Sequence, residues 1–204
     1  IKQAKQKKWY NYFFASLYFV FFFCYNNNRY PCLIITDWSC WYLDRRDKIN
    51  YYLDIAQTVL NRGTCRRRNY GSIIVKNDEI ISTGYTGAPR GRKNCIDLGY
   101  CYREAMNIPR GQMYETCRSV HSEMNAIISA ERRDMIGATL YLVGKDMATG
   151  ELVENADSCS MCKRVIINAG IKEVIIRETL ETYRVIPVET WIDEDDSLSG
   201  VLGY

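Results

Sequence analysis

His121, Glu123, Cys159 and Cys162 are the residues with which this chain could do chemistry. His121 is the only histidine among 204 residues and stands two positions before Glu123 in "CRSVHSEMNAI", residues 117–127. A single imidazole is most often a surface group or a satisfied core residue. Here it is followed, 38 residues further on, by the C-x-x-C of Cys159 and Cys162 in "CSMC". That motif alone is shared by redox dithiols and structural zinc knuckles. One imidazole with two thiolates is a three-ligand set, and tetrahedral zinc then keeps its fourth position for water, the count of a catalytic rather than a structural site. A structural site has no use for a carboxylate beside its histidine, whereas a hydrolytic site needs a proton carrier next to the activated water. Glu123 is the leading candidate, with stabilisation of the first turn of its own helix as the plainer alternative.

These residues need elements that bring them together. From Asp47, "DKINYYLDIAQTVLNRG" places Ile49, Leu53, Ala56 and Leu60 at helical spacing, with Gly63 as the expected stop. "GSIIVKNDEIISTG" reads as two strands joined at Asn77-Asp78, a hairpin signature. "ATLYLV" (138–143) and "EVIIR" (173–177) are apolar throughout and suit strands buried on both faces. Helical segments precede each of them, "HSEMNAIISAERRD" (121–134) and "SMCKRVIINAG" (160–170), the second closed by Gly170. A last segment, "RETLETYRVIP" (177–187), is a candidate further helix. The order α-β-β-α-β-α-β predicts an α/β fold, a three-layer α-β-α sandwich with a mixed sheet of about five strands. Neighbouring helices in parallel α/β units begin at the same edge of the sheet, so His121 and the C-x-x-C can converge there.

Composition sets further bounds. The formal charge is +3, but Lys2, Lys5, Lys7 and Lys8 supply +4 of it, so the rest of the chain carries a net −1. A polynucleotide binder presents a strongly basic face, so no nucleic-acid partner is expected. Arg66, Arg67 and Arg68 form a local exception that could hold one phosphate group or simply face water. Nine cysteines, an odd count, fit a closed disulfide framework poorly and favour metal ligation. Residues 1–43 read differently from the remainder. "WYNYFFASLYFVFFFCY" (9–25) is apolar and crowded with aromatics, yet it matches neither a signal peptide nor a membrane span of about 20 apolar residues. The expectation is a non-native or mis-assigned extension, with a membrane anchor as the alternative.

The H-x-E and C-x-x-C pair resembles the signature of the zinc-dependent deaminases of cytosine and its nucleotides. "GSIIVKNDEIISTGYTGAPRG" and "CRSVHSEMNAIISA" are similar to the deoxycytidylate (dCMP) deaminase family, including its bacterial late-competence type, and the likeness runs from about Asp47 to Arg177. The resemblance implies a cytidine deaminase-like domain over 44–190, between the 1–43 extension and an acidic tail over 191–204. It implies a catalytic zinc on His121, Cys159 and Cys162, with Glu123 moving a proton from water to ring nitrogen 3 as dCMP becomes dUMP and ammonia. It also implies a cytoplasmic homo-oligomer with dCTP and dTTP as effectors. Another cytosine nucleotide or nucleoside, or a base within nucleic acid, is the alternative substrate, and a non-catalytic zinc module the alternative role. Phosphate-binding candidates are Arg68, Asn69 and Arg90. Cys65, Cys95, Cys101 and Cys117 form a second cluster in which a structural zinc is expected, with free thiols or disulfides as alternatives. Two positions depart from the family pattern: Ser158 stands in place of the signature Pro, and Ser122 in place of a common Ala. Ser158 is expected to cap the helix that follows it. Thr86 replaces a frequent Asn in "GYTG".

Overall fold

The computed structural model describes residues 45–109 and 112–194; the 1–43 extension and residues 195–204 of the expected tail lie outside them. Helix α1, Lys48–Leu60, starts where Asp47 accepts a hydrogen bond from the Asn50 amide, and it buries Tyr52, Leu53, Ala56 and Leu60. It ends at Leu60, short of Gly63. That glycine serves a close approach instead: a Cβ there would stand 2.4 Å from the Asn69 side chain.

Five strands form one sheet in the order β2-β1-β3-β4-β5. They are β1 (Arg68–Lys76), β2 (Glu79–Tyr85), β3 (Thr139–Asp146), β4 (Glu173–Arg177) and β5 (Tyr183–Pro187). The β3–β4 pair is parallel and the other pairs are antiparallel. The β1–β2 turn places Asn77 at φ 51° and Asp78 at φ 69°, the left-handed pair that a two-residue hairpin requires. The segment expected as a final helix instead forms strand β5. Tyr183, Val185 and Ile186 are residues that favour a pleated surface, and β5 completes its hydrogen bonds on β4. The first residues of the expected tail fall in a single helical turn, Thr190–Asp193.

Strand alternation sorts the core into two layers. Ile73, Val75, Tyr141, Val143 and Ile175 pack under α1 on one face. On the other face Ile74, Leu140, Leu142, Val174 and Ile176 meet the helices α4 (Ser122–Ile128), α5 (Arg132–Met135) and α6 (Ser160–Ala169). The three-layer sandwich with a mixed sheet is therefore present. The stretch read as one helix over 121–134 is two, α4 and α5, because the chain leaves the helix at Ser129, whose hydroxyl turns back to the Asn125 carbonyl. The loop between β2 and α4 carries two further one-turn helices, α2 (Cys95–Leu98) and α3 (Tyr102–Ala105).

Two glycines let helices sit directly on the sheet. At Gly71 a Cβ would lie 2.2 Å from the Ala56 carbonyl oxygen of α1, and at Gly84 it would lie 2.2 Å from the Ser122 carbonyl oxygen and 2.3 Å from the Ala126 nitrogen of α4. Both obstacles are backbone, so neither can swing aside. Gly84 thus sets the height of the helix that begins with the His121–Glu123 motif. Gly84→Ala is expected to destabilise the fold by about 2 kcal/mol or more, in line with overpacking. Denaturant unfolding measures it, and an unchanged midpoint would contradict the close approach.

Candidate active site

Helices α4 and α6 begin side by side, and each is entered through a residue in extended backbone conformation. His121 is the N-cap of α4 (φ −70°, ψ 153°), and Cys159 is the N-cap of α6 (φ −68°, ψ 164°). Cys162 follows one turn inside α6 and is fully buried. Equivalent helix entries thereby deliver an imidazole and two thiols to one point. His121 Nδ1 lies 3.4 Å from Cys159 Sγ and 3.4 Å from Cys162 Sγ. All three ligand atoms lie within 4.8 Å of one another, the one such group among the described residues.

These distances fit a zinc ion. With Zn–N near 2.0–2.1 Å and Zn–S near 2.3 Å, tetrahedral angles put nitrogen and sulfur about 3.5 Å apart. Protonation in the metal-free cluster points the same way. Burial works against a charged His121, but the Cys159 sulfur and the Glu123 charge outweigh it and raise the imidazole above its ordinary pKa. The hydrogen bond from Cys162 pulls Cys159 down to about 4, aided by His121 against the cost of burial. Cys162 is pushed up by Cys159, by burial and by Glu123. The cluster retains protons because anionic groups are crowded in a buried place, and a dication relieves the same crowding.

Glu123 occupies the first turn of α4 and is buried, its carboxylate against the Cys162 thiol. Ser122 Oγ donates to one carboxylate oxygen at 3.0 Å and Ser158 Oγ to the other at 3.2 Å. The expected helix-capping role of Ser158 is not what the structure holds: Cys159 is the N-cap, and the Ser158 hydroxyl is taken by Glu123.

His121, Glu123, Ser158 and Cys159 open onto a cavity of about 360 Å³, within the usual range for small-molecule sites. Arg67, Arg68, Arg103 and Lys163 bring cations to its walls. Arg67 pairs with Glu104 at 3.1 Å, Arg68 with Asp146 at 3.2 Å and Lys163 with Asp157 at 3.1 Å. Of the sequence-derived phosphate candidates, Arg68 lines the cavity. Asn69 is buried and takes a structural role, its side-chain oxygen accepting from the Cys65 amide at 2.9 Å. Arg90 is exposed and is not part of the cavity wall.

Cys65, Cys101 and Cys117 line the same cavity and Cys95 is buried beside Ser119, 3.7 Å from its hydroxyl. Among the described residues the His121 group is the one whose ligand atoms all lie within 4.8 Å of one another; here Cys65 feels Cys95 and Cys101, and Cys117 feels Cys65 and Cys95. All four are free thiols, and burial pushes Cys65 and Cys117 up, towards the protonated form. The loop that carries Cys95 and Cys101 is ordered by another residue. The buried Arg103 guanidinium donates to the carbonyls of Pro109 at 2.9 Å and Met113 at 2.5 Å and lies 4.7 Å from the Tyr114 ring centre. Tyr114 meets the His121 ring edge to face at 5.2 Å. Sequence reading did not identify Arg103, Tyr114 or Lys163, because their roles arise from a loop without periodicity folding back over the helix starts.

A family model described as the cytidine and deoxycytidylate deaminase zinc-binding region matches residues 46–178. The deoxycytidylate deaminase of Mycobacterium phage D29 is 32% identical over 138 residues, covering 65% of this chain and 96% of that protein. The deoxycytidylate deaminase of Schizosaccharomyces pombe is 32% identical over 128 residues, covering 62% of this chain and 35% of that protein. The ComE operon protein 2 of Bacillus subtilis is 29% identical over 133 residues, covering 65% of this chain and 60% of that protein. Among solved structures, dCMP deaminase from the cyanophage S-TIM5 in apo form aligns with a TM-score of 0.44 at 23% identity, covering 64% of this chain and 82% of that one. With its signature residues drawn together at two helix entries and the family match spanning most of its length, this chain belongs to the cytidine and deoxycytidylate deaminase family.

Proposed function

We propose that the protein is a zinc-dependent hydrolase that converts dCMP and water into dUMP and ammonia. The observation that carries this reading is the placement of a buried carboxylate, Glu123, against a His-Cys-Cys ligand group at the wall of a nucleotide-sized cavity. His121 through Nδ1, Cys159 and Cys162 would hold the ion. Zinc, when bound, acidifies a water molecule and favours its addition to carbon 4 of the pyrimidine.

Glu123 performs the proton work. Its carboxylate takes a proton from the water and delivers it to ring nitrogen 3 as the oxygen adds to carbon 4. It then carries the second proton to the exocyclic amine, which leaves as ammonia while the carbon 4 carbonyl forms. Burial excludes bulk water, which would compete for these protons. The substrate phosphate is a dianion at neutral pH and needs cations or amide donors. Arg67, Arg68 and Lys163 supply the cations, and the deoxycytidylate deaminase names of the relatives agree with a 5′-phosphate substrate.

Glu123→Ala is expected to retain zinc and lower kcat for dCMP by a factor of about 100 or more, the usual contribution of a positioned general acid–base group. Metal analysis beside an ammonia-release assay checks this, and undiminished turnover would reject the shuttle. Chelation is expected to abolish ammonia release and added zinc to restore it; full activity in the metal-stripped protein would remove the basis of the reading. Arg68→Ala is expected to raise KM for dCMP about tenfold, the loss of one charge-assisted contact, while kcat/KM for deoxycytidine stays level. Equal losses on both substrates would place the phosphate elsewhere.

A further inference from the structure

Ser122 and Ser158 are two of the positions at which this chain departs from the family pattern, and both hydroxyls reach the same carboxylate. We propose that they are positioning residues for Glu123, a hydroxyl clamp in which each carboxylate oxygen is held by a different serine and Ser72 supports the arrangement from the sheet. The inference rests on the deaminase reading above.

The hydrogen bonds converge on the carboxylate from two directions. Ser72 Oγ on β1 donates to Ser122 Oγ at 2.7 Å, Ser122 Oγ donates to Glu123 Oε2 at 3.0 Å, and Ser158 Oγ donates to Oε1 at 3.2 Å. A hydroxyl carries one proton and two lone pairs. Because Ser122 gives its proton to the carboxylate, it can only accept from Ser72, so the carboxylate sets the direction of every bond. Ser72 and Ser122 are completely buried, while Ser158 and Glu123 are 3% and 4% exposed and line the cavity, so the clamp sits at the boundary between the core and the site.

The two serines belong to different segments, and each is the chain neighbour of a residue in the ligand group. Ser122 follows His121, and Ser158 precedes Cys159. Each hydroxyl is therefore carried by the same helix entry as a residue of the ligand group. A glutamate side chain otherwise has several rotamers, and proton transfer depends on holding it within a few tenths of an ångström of the reacting atoms. Alanine at 122 and proline at 158, the residues of the family pattern, have no side-chain donor. This chain holds its carboxylate through contacts that such a pattern could not make.

The test uses the full chain loaded with zinc, with kcat and KM for dCMP measured in Ser122→Ala, Ser158→Ala and Ser158→Thr. Each alanine variant is expected to lower kcat about tenfold, the scale of one hydrogen bond to a charged group lost at the reacting centre, with bound zinc retained and KM within about twofold of the parent. Ser158→Thr keeps the hydroxyl and is expected to recover most of kcat. If Ser122→Ala does not fold, the Ser158 pair decides alone. Unchanged kcat in Ser158→Ala, or a threonine variant as slow as the alanine variant, would overturn the clamp. Absence of dCMP turnover in the parent would instead overturn the deaminase reading, so the two failures are distinguishable.

Discussion

The arrangement depends on confining several electron-rich groups where little water can solvate them. His121 Nδ1 stands 3.4 Å from both sulfurs of the C-x-x-C, and the Glu123 carboxylate is packed against Cys162. Thiolates and a carboxylate in such proximity repel one another and are poorly solvated, so the folded chain must retain protons or bind a cation. Part of the cost is offset by the fold. Cys159 caps a ten-residue helix and Glu123 lies in the first turn of another, so the positive ends of two helices face the cluster. The parallel β3–β4 pair brings these two helix entries together, and the glycine at 84 lets α4 sit low enough on the sheet for Glu123 to reach them.

The same geometry separates duties that the reaction needs kept apart. The ligand atoms face one another, each carboxylate oxygen accepts from a different serine, Ser122 or Ser158, and the cations gather along the cavity wall at Arg67, Arg68 and Lys163. The loop between β2 and α4 closes one side. Its buried Arg103 ties the turn near Pro109 and Met113 to Tyr114, whose ring braces His121. One aromatic contact therefore joins this loop to the ligand group.

What sequence reading could reach follows from how local each signal is. The hairpin at Asn77-Asp78 was legible because a two-residue turn demands positive φ at both positions, and Gly170 was legible as the end of α6 for a similar reason. His121 and the C-x-x-C were legible because metal chemistry restricts residue type and number. Strand β5 was not, since Thr179 to Pro187 carries neither clear period and its state is decided by pairing with β4. The role of Ser158 was misread for a related reason: a serine before a helix is a capping signal, but a charged acceptor 35 residues away in the chain competes for its proton and wins. Cys65, Cys95, Cys101 and Cys117 were legible as one cluster because an insertion short of apolar residues needs another means of order, and Cys65 and Cys117 each lie near enough to others of the set to feel their charge.

Cobalt substitution tests the central claim most directly, because thiolate-to-cobalt charge transfer reports sulfur ligation and the intensity of the ligand-field bands reports tetrahedral geometry. Loading the full chain with cobalt is expected to produce both signals. Cys159→Ala and Cys162→Ala should each weaken the charge-transfer band, His121→Ala should alter the ligand-field bands, and dCMP should perturb those bands in the parent. Cobalt bound with no thiolate signal, or spectra indifferent to the loss of any of the three residues, would contradict the shared site on which the account rests.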